Sequence, residues 1–197
     1  MDALQKANKE LDEASGIAMQ LGFYRTILAL CRYGWKRLRI ERFLDKAKEV
    51  YTECRSDGGK SLVQMCDEET GIEVRNEAGE SYLDTTYLNQ KKWDEDKAKF
   101  DKMPYPMQRA YYISVRQHMK KWMYAQIMAS IILALNRKEG WSFERIQRFL
   151  SVHDEIKAEF GNEIQKLNEE VMKETTMKYI YNGEDLILLD KQKGVTV

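Results

Sequence analysis

Two stretches of the chain carry nearly the same sequence. Residues 34–44 read G-W-K-R-L-R-I-E-R-F-L, and residues 140–150 read G-W-S-F-E-R-I-Q-R-F-L. Aligned without a gap, they share the pattern G-W-x-x-x-R-I-x-R-F-L, with seven identities in eleven positions. In each stretch a glycine is placed to end one apolar helix, and the next helix starts at the tryptophan. The pattern therefore predicts a helix–glycine–helix junction that occurs twice.

The similarity continues on both sides of this junction. The sequence I-L-A-L stands at residues 27–30 and again at residues 132–135. Downstream matches at a nearly constant spacing are Leu62 with Leu167, Cys66 with Val171, Glu69 with Glu174, Thr70 with Thr175, Ile72 with Met177 and Val74 with Tyr179. Ordered matches at one spacing indicate a duplicated unit rather than a short motif that recurs by chance.

The fold class predicted from this pattern is mainly α (α+β). We predict two tandem units, each of three helices and a short β-hairpin, joined by a long helix over Met107 to Arg137. Repeat unit 1 covers residues 1–84, a charged linker with a short helix covers 85–106, and repeat unit 2 covers 107–197. Units of about seventy residues bury little apolar surface alone. We therefore expect them to pack as one compact body about a pseudo-two-fold axis.

Local signals set the predicted element boundaries. A helix is expected over residues 2–33, with a break near Ser15-Gly16, where Ser15 has the residue type of a helix N-cap. Another short helix runs from Ser61 to Glu69, and a further one is expected around Gln90 to Phe100 in the linker. Turn residues at Asn76 to Gly79 and at Asn182-Gly183 predict the two hairpins.

Charge and composition restrict the function classes. Hydrophobic residues make up 43% of the chain and charged residues 32%, and the net charge is zero. A neutral protein has no overall attraction to nucleic acid or anionic membranes. The distribution is uneven, because residues 102–138 contain seven basic residues and no acidic one, and residues 25–48 contain eight basic and two acidic residues. Positive charge is therefore concentrated around the duplicated helix pair.

The compartment follows from the cysteines and the apolar runs. Cys31, Cys54 and Cys66 are odd in number and form no C-x-x-C pattern, which is typical of free thiols in a reducing cytosol. The first residues are polar and lack the core of a signal peptide. Residues 127–135 form an apolar run that is too short to cross a bilayer. We expect a cytoplasmic protein without a membrane anchor.

Four duplicated arginines are the candidate binding residues. Arg39 and Arg42 match Arg145 and Arg148, and on a helical wheel all four flank the apolar stripe. One interpretation is solvated arginines paired with nearby carboxylates. The other is a symmetric basic cleft for a small anionic ligand or an acidic protein surface, because guanidinium groups suit phosphate and carboxylate. The tryptophans of the junctions are interpreted as packing residues.

Nucleic-acid binding is the alternative function. Helix, glycine, tryptophan and helix together are similar to a helix-turn-helix, whose second helix enters the major groove. Against it stand the zero net charge, the broad apolar stripe of that helix, and Glu144 and Gln147 among the arginines of the second copy.

Enzymatic chemistry has little support in the sequence. His118 and His153 are the only histidines, and His153 replaces Ala47 on the apolar stripe, as expected for a core or boundary residue. No phosphate-binding loop, zinc pattern or nucleophile elbow is present. The carboxylates at 67–69 and 169–170 are interpreted as solvated helix ends rather than a metal site. We therefore predict no catalytic residue, no metal and no cofactor.

The repeated pattern resembles small uncharacterised helical proteins of phages and prophages of Gram-positive bacteria, here as a tandem duplication. Gly34 to Leu44 with Glu68 to Ile72 carries the resemblance in the first unit. Gly140 to Leu150 and the more diverged Lys173 to Met177 carry it in the second. The resemblance implies a mobile-element protein in a bacterial cytosol.

The function expected on this basis is non-enzymatic binding. The first hypothesis is an inhibitor of a host protein or of a host defence system, or a protein that sequesters a small anionic signal. A DNA- or RNA-binding accessory protein is the alternative. The sequence leaves the oligomeric state open, and a dimer is compatible with it.

Overall fold

The computed structural model describes residues 2–56, 61–76, 78–81, 95, 98–181 and 186–189, and the protein is mainly helical. The elements in chain order are α1 Ala3–Arg32, α2 Arg37–Ser56, α3 Leu62–Thr70, a 3-10 turn Phe100–Lys102, α4 Tyr105–Glu139, α5 Phe143–Phe160, α6 Ile164–Thr175, β1 Lys178–Tyr181 and β2 Leu186–Leu189. The predicted long helix is confirmed as α4, which has 35 residues and Pro106 in its first turn.

The two junctions have the same local geometry. Gly34 has φ 76° and Gly140 has φ 64°, a left-handed conformation that glycine adopts without the steric cost of a Cβ atom. The N–H of Trp35 donates to the carbonyl of Leu30 at 3.0 Å, and the N–H of Trp141 donates to the carbonyl of Leu135 at 3.0 Å. This bonding closes the preceding helix as a Schellman cap. The predicted glycine helix ends are confirmed at both places.

Helix α1 is continuous, so the predicted break near Ser15-Gly16 is wrong. The Ser15 hydroxyl lies 3.7 Å from the Met123 sulfur on the neighbouring helix and does not cap a new helix. Glycine and serine have low helix propensity, but packing against α4 stabilises the helical conformation of α1 at this point.

The two long helices run side by side in the same direction. Arg116 of α4 donates to Asn8 of α1 at 2.9 Å, while further along Gly22 meets Ile127. The second half of α4 is almost completely buried, as its apolar sequence predicts. The helix pair α1 and α4 therefore forms the centre of the body around which the shorter helices pack.

The shorter helices cover this centre in a crossed arrangement. Helix α1 packs against α5 and α6, and α4 packs against α2 and α3. Matching ion pairs follow the same arrangement: Arg32 contacts Glu159 at 2.6 Å, and Lys138 contacts Glu53 at 3.7 Å. Each long helix is thus covered by the short helices of the other half of the chain. Neither half could bury its long helix by itself in this arrangement.

The predicted hairpins are described in part. Strand β1 pairs antiparallel with β2, with Lys178 opposite Leu189, and the turn at Asn182-Gly183 lies outside the described residues. In the first half an antiparallel bridge joins Arg75 and Ser81. The linker helix expected around Gln90 to Phe100 falls mostly outside the described residues. The domain boundaries remain a prediction.

Replacing Gly22 with alanine is expected to lower the free energy of unfolding by about 1–2 kcal/mol. A Cβ atom at Gly22 would lie 2.7 Å from Cγ2 of Ile127, a branched side chain that is 6% exposed and has little room to move. This overlap outweighs the gain of about 1 kcal/mol in helix propensity. Urea denaturation followed by circular dichroism measures the change.

The control for this prediction is the same substitution in an Ile127→Ala background. Truncation of Ile127 removes the clashing methyl group. Gly22→Ala should then become neutral or stabilising, because only the propensity term remains. An equal loss in both backgrounds would contradict the close approach of α1 and α4 at this point.

Candidate functional site

The tryptophans of the two junctions contact each other in the core. Trp35 and Trp141 meet edge to face, with ring centroids 5.7 Å apart and an interplanar angle of 90°. Each ring also contacts the phenylalanine of its own stretch, Trp35 with Phe43 at 5.6 Å and Trp141 with Phe149 at 6.0 Å. Trp35 is 4% exposed and Trp141 is 1% exposed. The expected packing role of both residues agrees with these contacts.

Two of the four predicted arginines stack on these tryptophans. The guanidinium carbon of Arg39 lies 3.8 Å from the ring centroid of Trp35, and that of Arg145 lies 4.2 Å from that of Trp141. Both arginines are exposed. Because the two rings touch, the stacked guanidinium groups lie at the same end of the molecule. A guanidinium plane attracts the face of an aromatic ring electrostatically and keeps its N–H donors free for other partners.

Arg42 and Arg148 lie three residues further along α2 and α5, and both are exposed. Among the described residues, Arg42 and Arg145 make no ion pair, and Arg148 makes only a long 3.4 Å hydrogen bond to the Glu144 carbonyl. Arg39 contacts Glu139 at 3.3 Å. The expectation of arginines fully paired with neighbouring carboxylates is therefore met only at Arg39.

Glu139 is shared between two cations. Lys46 contacts it at 2.7 Å, in addition to Arg39. Burial acts to raise the pKa of Glu139, but the hydrogen bonds from Lys46 and Arg39 outweigh it and hold the pKa below its usual value. This carboxylate is consequently ionised at neutral pH and offsets part of the positive charge at Arg39 and Lys46.

Exposed apolar side chains lie next to the arginines. Leu38 is 68% exposed and precedes Arg39, and Phe143 is 46% exposed and lies two residues before Arg145. We define the junction surface by these two residues and the four arginines Arg39, Arg42, Arg145 and Arg148. It combines cationic groups with exposed apolar groups on a rigid aromatic base.

A buried polar cluster lies elsewhere in the core. Arg25 is 0% exposed and donates to the Tyr124 hydroxyl at 3.1 Å, the Gly161 carbonyl at 2.8 Å and the Asn162 side-chain oxygen at 2.6 Å. His153, which is 3% exposed, approaches the Tyr124 hydroxyl at 3.4 Å. The cluster joins α1, α4, α5 and the turn before α6.

The two histidines are both held neutral. Burial, with further contributions from Arg25 and Lys157, lowers the pKa of His153 to about 3. Burial and Lys121 lower the pKa of His118 to about 4. Within the described part of the chain, no three His, Cys, Asp or Glu side chains come together in a way that suits a metal ion. No described helix is both long and apolar enough to cross a bilayer.

No family model, no curated protein and no solved structure matches this chain. The function proposed for the protein therefore rests on the geometry of the molecule.

Sequence reasoning selected the arginines but missed their stacking on the tryptophans. The spacing of four residues between Trp35 and Arg39, and between Trp141 and Arg145, was an available signal, because residues at i and i+4 share a helix face. Sequence reasoning also missed the buried cluster of Arg25 and Tyr124.

Proposed function

We propose that the chain is a non-enzymatic binding protein that engages an acidic surface of another protein through the junction surface. The observation that carries this proposal is the pair of arginines stacked on two tryptophans that touch each other. Arginine and aromatic residues are enriched among the side chains that dominate protein–protein binding energies. Exposed Leu38 and Phe143 add apolar contact area beside the charged groups.

Stacking favours binding by ordering the arginines beforehand. A free arginine side chain loses about 2 kcal/mol of rotamer entropy when it is fixed at an interface. The rings of Trp35 and Trp141 already restrict Arg39 and Arg145, so less entropy is lost on association. Carboxylates are the natural partners, since a planar guanidinium presents paired N–H donors that fit the two oxygens.

We also propose that the two halves of the chain are duplicated units related by an approximate two-fold axis. Residues at matching positions in the two halves meet each other directly, namely Trp35 with Trp141 and Gly22 with Ile127. Contacts between equivalent positions are expected at a two-fold axis, so they support the proposed pseudo-two-fold axis between α1 and α4. Such an axis relates Arg39 to Arg145, so the junction surface presents two similar basic sites. A partner with two acidic sites would fit it best.

We assign the protein to a mobile element of phage type, working in a bacterial cytosol, on the strength of the resemblance carried by residues 34–44 and 140–150. In that setting, occupation of an acidic host surface would inhibit a host protein or a defence system. Sequestration of a small anionic signal is a second form of the proposal. The junction arginines line neither the cavity beside His153 nor the cavity beside Phe23, which favours a protein partner.

The double variant Arg39→Gln/Arg145→Gln is expected to weaken capture of a bacterial host protein by at least about tenfold, since each such arginine contributes on the order of 1–2 kcal/mol. Tagged protein and bacterial lysate, with quantitative mass spectrometry of the retained proteins, give the measurement. The control Lys6→Gln/Lys9→Gln removes the same charge from exposed lysines on α1 and should leave capture unchanged.

Equal losses in both double variants would mean that only net charge matters, which contradicts the proposal. The nucleic-acid alternative is tested by titrating labelled double-stranded DNA and RNA at two salt concentrations. Affinity that falls steeply with salt and depends on Arg39 and Arg145 would support that alternative and replace the acidic protein partner.

A further inference from the structure

A cavity of about 470 Å³ opens between α4, α5 and residues 72–76 and 78–79. Its volume lies in the range of small-molecule sites. Met128, Ile132 and Leu150 give it an apolar wall. Tyr124 and His153 contribute polar side chains from α4 and α5, and the cavity is also lined by Glu73, Arg75, Asn76, Asp154 and Lys157. The predicted junction arginines are not among its residues, so this cavity is separate from the junction surface.

The hydrogen bonds around Tyr124 fix the proton on His153. Arg25 can only donate, so the Tyr124 oxygen accepts the 3.1 Å hydrogen bond from its guanidinium group. The Tyr124 hydroxyl group lies 3.4 Å from Nε2 of His153, and with its oxygen accepting from Arg25 it acts as the donor of this pair. Because the ring is neutral, its own proton is on Nδ1. His153 thus carries a hydrogen-bond donor whose orientation is set by a chain of two hydrogen bonds.

This donor has no acceptor among the described residues, although His153 is only 3% exposed. A ligand oxygen in the cavity would supply this acceptor. The charges that act on the ring are Arg25 and Lys157, and both are positive. Asp154 also lines the cavity but is exposed, and Glu73 is bound by Arg75 at 2.8 Å.

We infer that this cavity is a binding site for a small carboxylate with an apolar, ring-sized body, whose carboxylate accepts a hydrogen bond from His153. The apolar body would lie against Met128, Ile132 and Leu150. Lys157 at the cavity would add attraction for the negative charge.

The other half of the chain supplies an internal control. A second cavity of about 320 Å³ is lined by Met19, Phe23 and Leu44, which precede Tyr124, Met128 and Leu150 by 105, 105 and 106 residues. Ala47 stands at the position that corresponds to His153. This cavity therefore has a similar apolar wall but lacks the tyrosine–histidine pair, so it should not select a carboxylate.

Isothermal titration calorimetry with naphthalene-2-carboxylate tests the inference on the full chain. One saturable site is expected, and 2-naphthylmethylammonium, of similar shape but opposite charge, should bind at least about tenfold more weakly. Leu150→Trp should abolish binding by filling the cavity. Leu44→Trp, which fills the second cavity, should leave it intact.

His153→Phe provides the second, independent variant. It keeps a ring in place but removes the donor, so the preference for the carboxylate over the ammonium compound should disappear. Circular dichroism confirms that each variant is folded before titration. Absence of saturable binding to the wild-type protein overturns the inference, as does binding that Leu44→Trp abolishes and Leu150→Trp leaves unchanged. Because Arg39 and Arg145 are unchanged in these variants, the outcome is independent of the junction surface.

Discussion

Replacing Trp141 with alanine is expected to lower the free energy of unfolding by about 4 kcal/mol. The side chain is 1% exposed and lies where the two junctions meet, in contact with Trp35, Phe149 and Tyr33. Truncation leaves a large cavity, because the three neighbouring rings are held by other contacts and cannot move in to fill it. Urea denaturation at neutral pH, followed by circular dichroism, measures the loss.

Two controls separate packing from local effects. Trp141→Phe should cost only about 1 kcal/mol, because it keeps part of the ring and removes an indole N–H that has no acceptor among the described residues. Phe143→Ala, two residues away but 46% exposed, should change stability by less than about 0.5 kcal/mol. A small effect of Trp141→Ala would mean that the junctions do not share one core.

The contact between the two tryptophans predicts that their substitutions are not additive. Trp35→Ala should destabilise to a similar extent, and the double variant should lose less than the two single losses together. The expected shortfall is about 0.5–1.5 kcal/mol, the value of an edge-to-face aromatic pair. Strict additivity would contradict direct packing of the two halves at this point.

Arg25→Ala is expected to destabilise the fold by about 4 kcal/mol, because it removes the buried hydrogen bond to Tyr124 and two partly buried ones to Gly161 and Asn162, and opens a void in the core. The matched control is Arg32→Ala on the same helix. Arg32 is partly exposed and binds Glu155 and Glu159 at the surface, so its loss should cost at most about 1 kcal/mol. Thermal and urea unfolding of both variants give the comparison.

Arg25→Lys tests whether the geometry of the guanidinium group matters. A lysine ammonium on its flexible stem cannot reach three acceptors in one fixed fork. Arg25→Lys should therefore recover only part of the loss seen with alanine. Full recovery would indicate that charge alone is needed in the cluster.

The helices were largely predictable from the sequence because their signals are local. Gly34 and Gly140 mark helix ends through a backbone conformation that other residues avoid, and Ser61 caps α3 with its own side chain. The predicted break at Ser15-Gly16 failed for the converse reason. A local capping signal there is weaker than the packing of α1 along α4, which only the folded molecule provides.

Some residues of the candidate sites were predictable from the sequence and others were not. Exposure of Arg39, Arg42, Arg145 and Arg148 followed from their place beside the apolar stripe of each helix. The role of Arg25 could not be foreseen, because arginine is rarely buried and its acceptors lie 99 and more residues away in the chain. The cavity beside His153 depends on three elements that come together only in the fold.

What the sequence determined by itself is the long helix α4, the glycine helix ends, the repeated junction and the exposed arginines, since each depends on residues within a few positions of one another. Tertiary structure alone decided that α1 is covered by α5 and α6, and α4 by α2 and α3. An amphipathic pattern indicates that one face of a helix is buried, but it does not indicate which other helix covers that face. The contact of Trp35 with Trp141 and the buried Arg25 cluster both follow from that choice of partners.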